Sequence, residues 1–325
     1  MASTIVNDYN NTEELLQKFP IINETPVESE MEKRIQNRLL TGFENWNRGF
    51  DAWKEWGNIL YTPESLYNVH SVKLSLSQYQ MAMMATLKAN DIQMGDFLNM
   101  VVCGDWTAIH YKIATINRET GNVSDGSVME FVHFGEMGDE LGCRVIEGWA
   151  GTKGSDFAML SRIQGPDLLE EQEKVFASVV NAVIPDTDNL VEKYPVVYPT
   201  PMRSEIGELI QDAILKDFDA YNQGFDAWNA ATSDLYTADY KHIMDKKELS
   251  LDEYKSYIKD ELDANDVKRV CFDSFLISGE WAAIHYRMAV TDKATGEKSP
   301  ADTMQFIHFV KDGDKVKADQ SIVKC

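Results

Sequence analysis

The sequence contains one histidine-bearing segment twice. Gly104–Tyr111 reads GDWTAIHY and Gly279–Tyr286 reads GEWAAIHY, so that His110 and His285 occupy the same place in each copy. Histidine exchanges a proton near neutral pH, which makes a histidine in each copy a candidate general base. Two further histidines recur in the segments FVHF and FIHF, at His133 and His308.

Glu130 is the position at which the two copies differ in a way that matters for proton transfer. It lies in the segment VMEFVHF, whereas the second copy reads TMQFIHF and has Gln305 there. If the strand turns Glu130 into an apolar interior, desolvation raises its pKa toward the range of a general acid or base, whereas an amide exchanges no proton usefully. The first copy is therefore predicted to be the catalytic half. Pairing with Lys112 or Arg144 would instead make Glu130 a structural carboxylate.

These segments belong to an internal repeat with a constant offset of 175 residues. A chain of 325 residues is too long for one ordinary core and suits two domains. Residues from about 151 to 180 have no counterpart in the second copy. The predicted organisation is a first domain at 1–150, a connector at 151–180 with a helix from about Pro166 to Val180, and a second domain at 181–325.

Each copy reads as a helical half followed by a strand half. Apolar residues recur at steps of three and four from Ile35 to Trp53 and from Ile210 to Trp228, which predicts one long amphipathic helix in each copy. A shorter helix precedes it and a third helix follows it. From about Phe97 to Val145 the period changes to alternation, which predicts an antiparallel sheet. This order is that of an α+β fold.

Composition and charge exclude several functions. The net charge of −22 and the pI near 4.6 disfavour nucleic acid and anionic membranes as partners. No apolar run is long enough to cross a bilayer and no signal peptide precedes the repeat, so we expect a cytoplasmic protein. The cysteine spacing indicates neither a zinc site nor disulfides, and no phosphate-binding loop is present. We therefore expect no metal and no cofactor.

The repeated segments resemble a known family. GFDAW late in the long helix, then LYT before a strand, then GDWxAxH, then FxHF followed by Gly-Asp, are similar to the SnoaL-like polyketide cyclase group of the nuclear-transport-factor-2-like superfamily. The likeness covers about residues 30–147 and again 205–322. It implies two tandem cone-shaped α+β barrels, each with three helices, a curved antiparallel sheet and a pocket between them. Because members often pair through the sheet, it also implies an internal pseudo-dimer, present as a monomer or as a homo-oligomer.

Strand alternation separates the candidate residues into two faces. Tyr111 and Ile109 should point at the helices, which places His110 on the other face together with its counterpart His285. His133 and His308 are likewise out of phase with Glu130, so the four histidines are alternative candidates for the site rather than the leading ones. The resemblance implies a catalytic role for Glu130, which stands where SnoaL-like cyclases carry an Asp. It also suggests a pocket-mouth histidine at His70 as the partner of Glu130.

The predicted function is proton transfer without a cofactor, of the cyclase, isomerase or dehydratase type, on a small hydrophobic carbonyl or cyclic substrate. The alternative is a non-catalytic small-molecule binding protein with two ligand cups, and a third possibility is a structural tandem with both cones filled. Flat aromatic side chains suit a hydrophobic ligand. The predicted substrate-binding residues are Trp46, Trp53, Trp56, Tyr111, Phe134, Tyr221, Trp228, Tyr286 and Gln305.

Overall fold

The chain folds into two compact units in a computed structural model. Residues 11–69, 72–137, 142–151, 166–244 and 247–324 are described. The first unit comprises Met1–Gln172 and the second Glu173–Cys325. The change from one unit to the other falls inside the predicted connector, of which residues 152–165 lie outside the described ranges.

The first unit combines helices with a seven-stranded sheet. Its helices are α1 (Thr12–Lys18), α2 (Glu30–Asn47), α3 (Phe50–Leu60) and α4 (Leu76–Ala89). Its strands are β1 (Ile21–Asn23), β2 (Tyr61–Val69), β3 (Val72–Ser75), β4 (Asn90–Cys103), β5 (Trp106–Asn117), β6 (Val123–Glu136) and β7 (Cys143–Gly151). The strand order is β1-β4-β5-β6-β7-β2-β3. Strands β4 to β7 form an antiparallel meander, and β2 returns parallel to β7.

The second unit repeats this order of elements. After α5 (Pro166–Val180), its helices are α6 (Leu190–Lys193), α7 (Glu205–Asn222), α8 (Phe225–Leu235) and α9 (Leu251–Ala264). Its strands are β8 (Val196–Pro199), β9 (Tyr236–Met244), β10 (Lys247–Ser250), β11 (Asn265–Ser278), β12 (Trp281–Asp292), β13 (Lys298–Asp312) and β14 (Lys315–Lys324). The sheet order is β10-β9-β14-β13-β12-β11-β8. The two seven-stranded sheets and their helices fit two tandem α+β domains.

The single long helix predicted in each copy is wrong, because the chain turns sharply shortly before the end of the predicted range. Gly49 has φ of +114° between α2 and α3, and Gly224 has φ of +103° between α7 and α8. Only glycine adopts such a conformation without strain. The apolar spacing of three and four runs on across the turn, since both helices present aromatic residues to the same core, and so it does not reveal the break.

The predicted division into a helical half and a strand half also needs correction. The hairpin of β2 and β3 lies between α3 and α4 and joins the same sheet. Its alternation is visible in the buried residues Thr62, Ser65, Tyr67 and Val69, although the spacing slips once near Glu64.

Helix α5 spans Pro166–Val180, which is the range predicted for the connector helix.

The helices pack aromatic side chains against one side of each sheet. Phe43 of α2 stacks on Phe97 at 4.2 Å between ring centroids and meets Tyr111 edge-on at 4.7 Å. The equivalent contacts in the second unit join Phe218 to Phe272 at 4.3 Å and to Tyr286 at 4.9 Å. The shared geometry indicates that the same scaffold underlies both units.

None of the helices in the described ranges combines the length and apolar character needed to cross a membrane.

Gly42 allows α2 and α3 to approach closely, and this gives a test of the packing. A Cβ atom there would lie 2.7 Å from Cη2 of Trp56. Gly42→Ala is therefore expected to lower the free energy of unfolding by about 1–3 kcal/mol, as overpacking does. Gly57→Ala in α3 is the matched control, because its added Cβ would have its nearest neighbour at 3.7 Å. Urea denaturation should show the control neutral or stabilised by up to about 1 kcal/mol. Equal effects of both substitutions would contradict this packing.

Candidate functional site

The first unit contains a cavity of about 140 Å³ between its helices and its sheet, called the first cavity below. Helices α2, α3 and α4 supply one wall, and strands β2, β4, β5, β6 and β7 supply the other. Much of the lining is aromatic, and the rings belong to Phe43, Trp46, Trp53, Trp56, Tyr61, Tyr67, Tyr79 and Tyr111. Among the described lining residues, Glu130 is the one carboxylic acid. The described part of the lining is therefore apolar except for a carboxylate and a few hydroxyl and indole groups.

Glu130 is bound by two tyrosine hydroxyl groups. Tyr67 donates to one carboxylate oxygen at 2.6 Å, and Tyr111 donates to the other at 2.5 Å. The carboxylate is not paired with Lys112, which lies 3.1 Å from Asp96 instead. Glu130 is only half-buried by surface area because it borders the cavity. A carboxylate that accepts two hydroxyl hydrogen bonds at an apolar wall is both oriented and strongly desolvated.

The positions of the two tyrosines follow from the sheet. Tyr111 lies on β5, on the helix-facing side that strand alternation predicts for it. Tyr67 lies on β2, which pairs with β7 so that Tyr67 is opposite Gly148. A Cβ on Gly148 would lie 2.3 Å from the Tyr67 ring, so glycine is needed at this position. Tyr79 of α4 covers the other side of the ring, stacked at 4.5 Å between centroids.

Burial controls the ionisation of this group of side chains. It raises the pKa of Glu130 above its ordinary value, while the hydrogen bonds from Tyr111 and Tyr67 act in the opposite direction. Burial and the charge of Glu130 raise the pKa of Tyr67 and of Tyr111 well above the ordinary range. The tyrosines are therefore neutral donors at physiological pH, and the carboxyl is the group that exchanges a proton.

Trp56 adds a donor without a partner in the described part of the chain. Its side chain is 5% exposed, it lines the first cavity, and its indole Nε1 is buried without a hydrogen bond. By contrast, Trp46 donates from Nε1 to the carbonyl of Ile92 at 2.7 Å. A buried donor that lacks an acceptor costs free energy, so a ligand with an acceptor for Trp56 would remove a penalty.

Only some of the predicted site residues of the first copy line the cavity. Glu130, Trp46, Trp53, Trp56 and Tyr111 all do so. Phe134 does not, because its fully buried ring lies in the hydrophobic core. His70 lies outside the described residues. The sequence argument missed Tyr61, Tyr67 and Tyr79. Tyr61 and Tyr79 recur at the offset of 175 as Tyr236 and Tyr254, which was the signal available for them.

The four predicted histidines lie on the opposite side of the sheets from the helices. His110 is buried there. His133 stacks on Trp106 at 4.4 Å and lies 3.2 Å from Asp105. In the second unit, the ring of His285 lies 3.1 Å from Asp302, and that of His308 lies 2.7 Å from Asp319. None of these described histidines borders either cavity.

The corresponding space in the second unit is almost closed. A cavity of about 20 Å³ remains beside Gln305, called the second cavity below. Arg269 extends into this region and binds Asp217 at 2.6 Å, and Asp217 also accepts from Trp228 and Tyr236. Arg269 and Asp217 stand where the first unit has Met94 and Gly42. The predicted binding residues Tyr221, Trp228 and Tyr286 are buried core residues and do not line the second cavity.

The counterpart of Tyr67 is His242, which has partners of its own. Its Nδ1 lies 2.8 Å from the hydroxyl of Ser321 and 3.1 Å from that of Tyr240. Burial and the nearby Arg269 lower the pKa of His242 to about 4, so this ring is neutral at physiological pH. The hydrogen-bonded set of the first cavity is thus replaced by a different one in the second unit. Within the described ranges, no group of three or more His, Cys, Asp or Glu residues is placed to hold a metal ion.

Comparison with known proteins gives structural neighbours but no family assignment. No family model matches the sequence, and no curated protein matches it. AclR of Streptomyces galilaeus, assigned as a hydroxylase, is 18% identical with a TM-score of 0.33 and covers 41% of this chain and 98% of its own. A protein of Jannaschia sp. CCS1 assigned as a SnoaL-like polyketide cyclase is 20% identical with a TM-score of 0.33, covering 43% and 99%. A ketosteroid isomerase-like protein of Erwinia carotovora atroseptica is 18% identical with a TM-score of 0.30, covering 38% and 96%. At these identities and TM-scores the likeness assigns no activity to this chain.

The raised pKa of Glu130 has a consequence for stability. Between the ordinary pKa of 4.5 and the raised one, the folded chain holds a proton that the unfolded chain has lost, so stability falls as pH rises. Glu130→Gln removes this dependence. The free energy of unfolding of the variant relative to the wild type should therefore increase as pH rises above about 4.5, with a slope of up to about 1.4 kcal/mol per pH unit. Urea denaturation from about pH 4 to pH 7 measures it. A difference that stays constant or decreases with pH would contradict a raised pKa of Glu130.

The ion pair that closes the second unit gives a further prediction. Arg269→Met leaves Asp217 as a poorly compensated charge, and we expect a loss of about 3–5 kcal/mol in the free energy of unfolding. The double variant Arg269→Met with Asp217→Asn should recover part of this loss, because it removes the orphaned charge. A double-mutant cycle by urea denaturation measures the coupling. Additive effects of the two substitutions would show that the pair is not coupled.

Proposed function

We propose that the chain is a cofactor-free proton-transfer enzyme, of the cyclase, isomerase or dehydratase type, acting on a small hydrophobic carbonyl or cyclic substrate in the first cavity. The observation that carries the proposal is the carboxylate of Glu130, bound by Tyr67 and Tyr111 at the wall of an aromatic cavity. We further propose that both units are SnoaL-like, cone-shaped barrels. The internal pseudo-dimer, the homo-oligomer and the cytoplasmic location stay predictions, as does the role of His70.

The hydrogen bonds suggest how the proton would move. Glu130 as the base removes a proton from the carbon next to a carbonyl, and the electron pair of the C–H bond becomes the enolate. Once protonated, the carboxyl is a weaker acceptor for Tyr67 and Tyr111. Their hydroxyl groups are then available to donate to the enolate oxygen, where charge develops. The protonated Glu130 returns its proton to a carbon of the enolate, which balances the reaction without another reactant.

The size of the cavity limits the substrate. An engineered apolar cavity of about 150 Å³ holds benzene, and the first cavity measures about 140 Å³. A substrate with one ring is therefore the best fit. The indole N–H of Trp56, which has no hydrogen-bond partner among the described residues, favours a ligand that carries an acceptor.

The alternative is a non-catalytic binding protein with two ligand cups. The second unit offers little support for a second cup, because only about 20 Å³ remains beside Gln305. A single-cup binding protein would still need a reason to bury a carboxylate without a neutralising cation among the described lining residues. This cost is easier to explain when the carboxylate has a chemical task or a charged ligand.

Isomerisation of 3-cyclohexen-1-one tests the reaction, because it requires removal and return of a proton on one ring. Glu130→Gln should lower kcat about 10²–10⁴-fold, the usual contribution of a general base. Glu136→Gln is the matched control, since Glu136 is an exposed residue at the end of the same strand. Formation of the conjugated ketone is followed by ultraviolet absorbance, and near-ultraviolet circular dichroism confirms folding. Equal activity of Glu130→Gln and wild type would contradict the assignment. Absence of turnover by the wild type with this and related monocyclic ketones would favour the binding protein.

A further inference from the structure

The second unit contains an organic cation packed against three aromatic rings. The guanidinium carbon of Arg269 lies 3.8 Å from the ring centroid of Tyr221, 4.8 Å from that of Phe218 and 5.7 Å from that of Tyr286. Asp217 supplies the counter-charge at 2.6 Å. The side chain of Arg269 is 6% exposed. This unit therefore contains a buried cation site whose occupant is part of the chain.

The first unit has aromatic rings at the same three positions but lacks that occupant. At the offset of 175 residues, the three ring positions are Trp46, Phe43 and Tyr111, and the arginine position is Met94. All four line the first cavity. Tryptophan is also the aromatic side chain with the strongest attraction for cations. Where the second unit holds a guanidinium group, the first unit has an aromatic cavity.

The charge of the first cavity has the sign that such a site requires. Glu130 is ionisable, and no Lys, Arg or His belongs to the described residues that line the cavity. The tyrosine hydroxyl groups that donate hydrogen bonds to Glu130 are neutral, so they orient the carboxylate without cancelling its charge. The net charge of −22 also raises the local concentration of cations around the protein.

We propose that the first cavity binds a small organic cation, an alkylammonium or guanidinium group, against the rings of Phe43, Trp46 and Tyr111, with the carboxylate of Glu130 as its counter-charge. A methylated ammonium or a guanidinium suits the site better than a primary ammonium, because it is more weakly hydrated and loses less on burial. The inference goes beyond the proposed reaction, since binding needs only the cavity, the rings and one charge. A substrate with both a carbonyl and an ammonium group would satisfy the two proposals together.

Choline and its neutral isostere 3,3-dimethylbutan-1-ol separate charge from shape, because a carbon atom replaces the nitrogen in an otherwise equal molecule. Titration calorimetry on the full chain should show choline binding at least about tenfold more tightly than the isostere. In Glu130→Gln this preference should fall to within about threefold. Glu136→Gln should retain it, since the substituted residue is exposed and outside the cavity.

Met94→Arg introduces the residue that the second unit has at this position, and it gives an independent test of the proposal. The introduced guanidinium should occupy the rings of the first cavity and reduce choline binding at least about tenfold. Circular dichroism checks its fold, and if this variant does not fold, Glu130→Gln decides the question alone. The proposal is overturned if wild type binds no choline, if the isostere binds as tightly, or if Glu130→Gln keeps the preference for choline. Because none of these measurements involves turnover, failure of the isomerisation test leaves their result intact.

Discussion

The carboxylate of Glu130 beside an apolar cavity is the constraint on which the first unit depends. A charge in such a place needs donors, and Tyr67 and Tyr111 supply them. Tyr67 can reach the carboxylate only because β2 lies beside β7 and Gly148 leaves room for the ring. Gly42 in turn leaves room for Trp56 at the opposite wall. Because Gly42 and Gly148 have no Cβ atom, they leave space for the aromatic rings around Glu130.

The two units show two solutions for the same scaffold. Asp217 and Arg269 stand where the first unit has Gly42 and Met94, and together they fill the space with an ion pair. Neither change is favourable alone, because each would bury an unpaired charge. The second unit therefore closes its cavity as a set of coupled residues. The first unit keeps its cavity, with Glu130 as the one acid among the described lining residues, and this is the state expected of a site that binds something from outside.

The sequence predicted much of this arrangement where the physical rule is local. The offset of 175 and strand alternation assigned Glu130 and Tyr111 to one face and the histidines to the other. The break at Gly49 was missed, because aromatic spacing continues through a turn that only a positive φ defines. The bond from Tyr67 to Glu130 joins residues 63 apart, and the pair of Asp217 and Arg269 joins residues 52 apart. The first depends on how the strands pair and the second on how helix α7 packs against strand β11, and no local pattern determines either.

Repetition and difference therefore carry separate information in this chain. His133 and His308 recur at the offset of 175 residues. Both lie on the side of the sheet away from the helices, where His133 contacts Asp105 and His308 contacts Asp319. A feature that serves the sheet is needed in both units, and so it is retained in both. Glu130 and Gln305 differ because the spaces that they border differ. An acid is stable beside the first cavity only with its tyrosine donors, whereas an amide suits a space closed by an internal ion pair. In a duplicated scaffold, the position that changes together with its surroundings is thus the better indicator of chemistry than the motif that recurs.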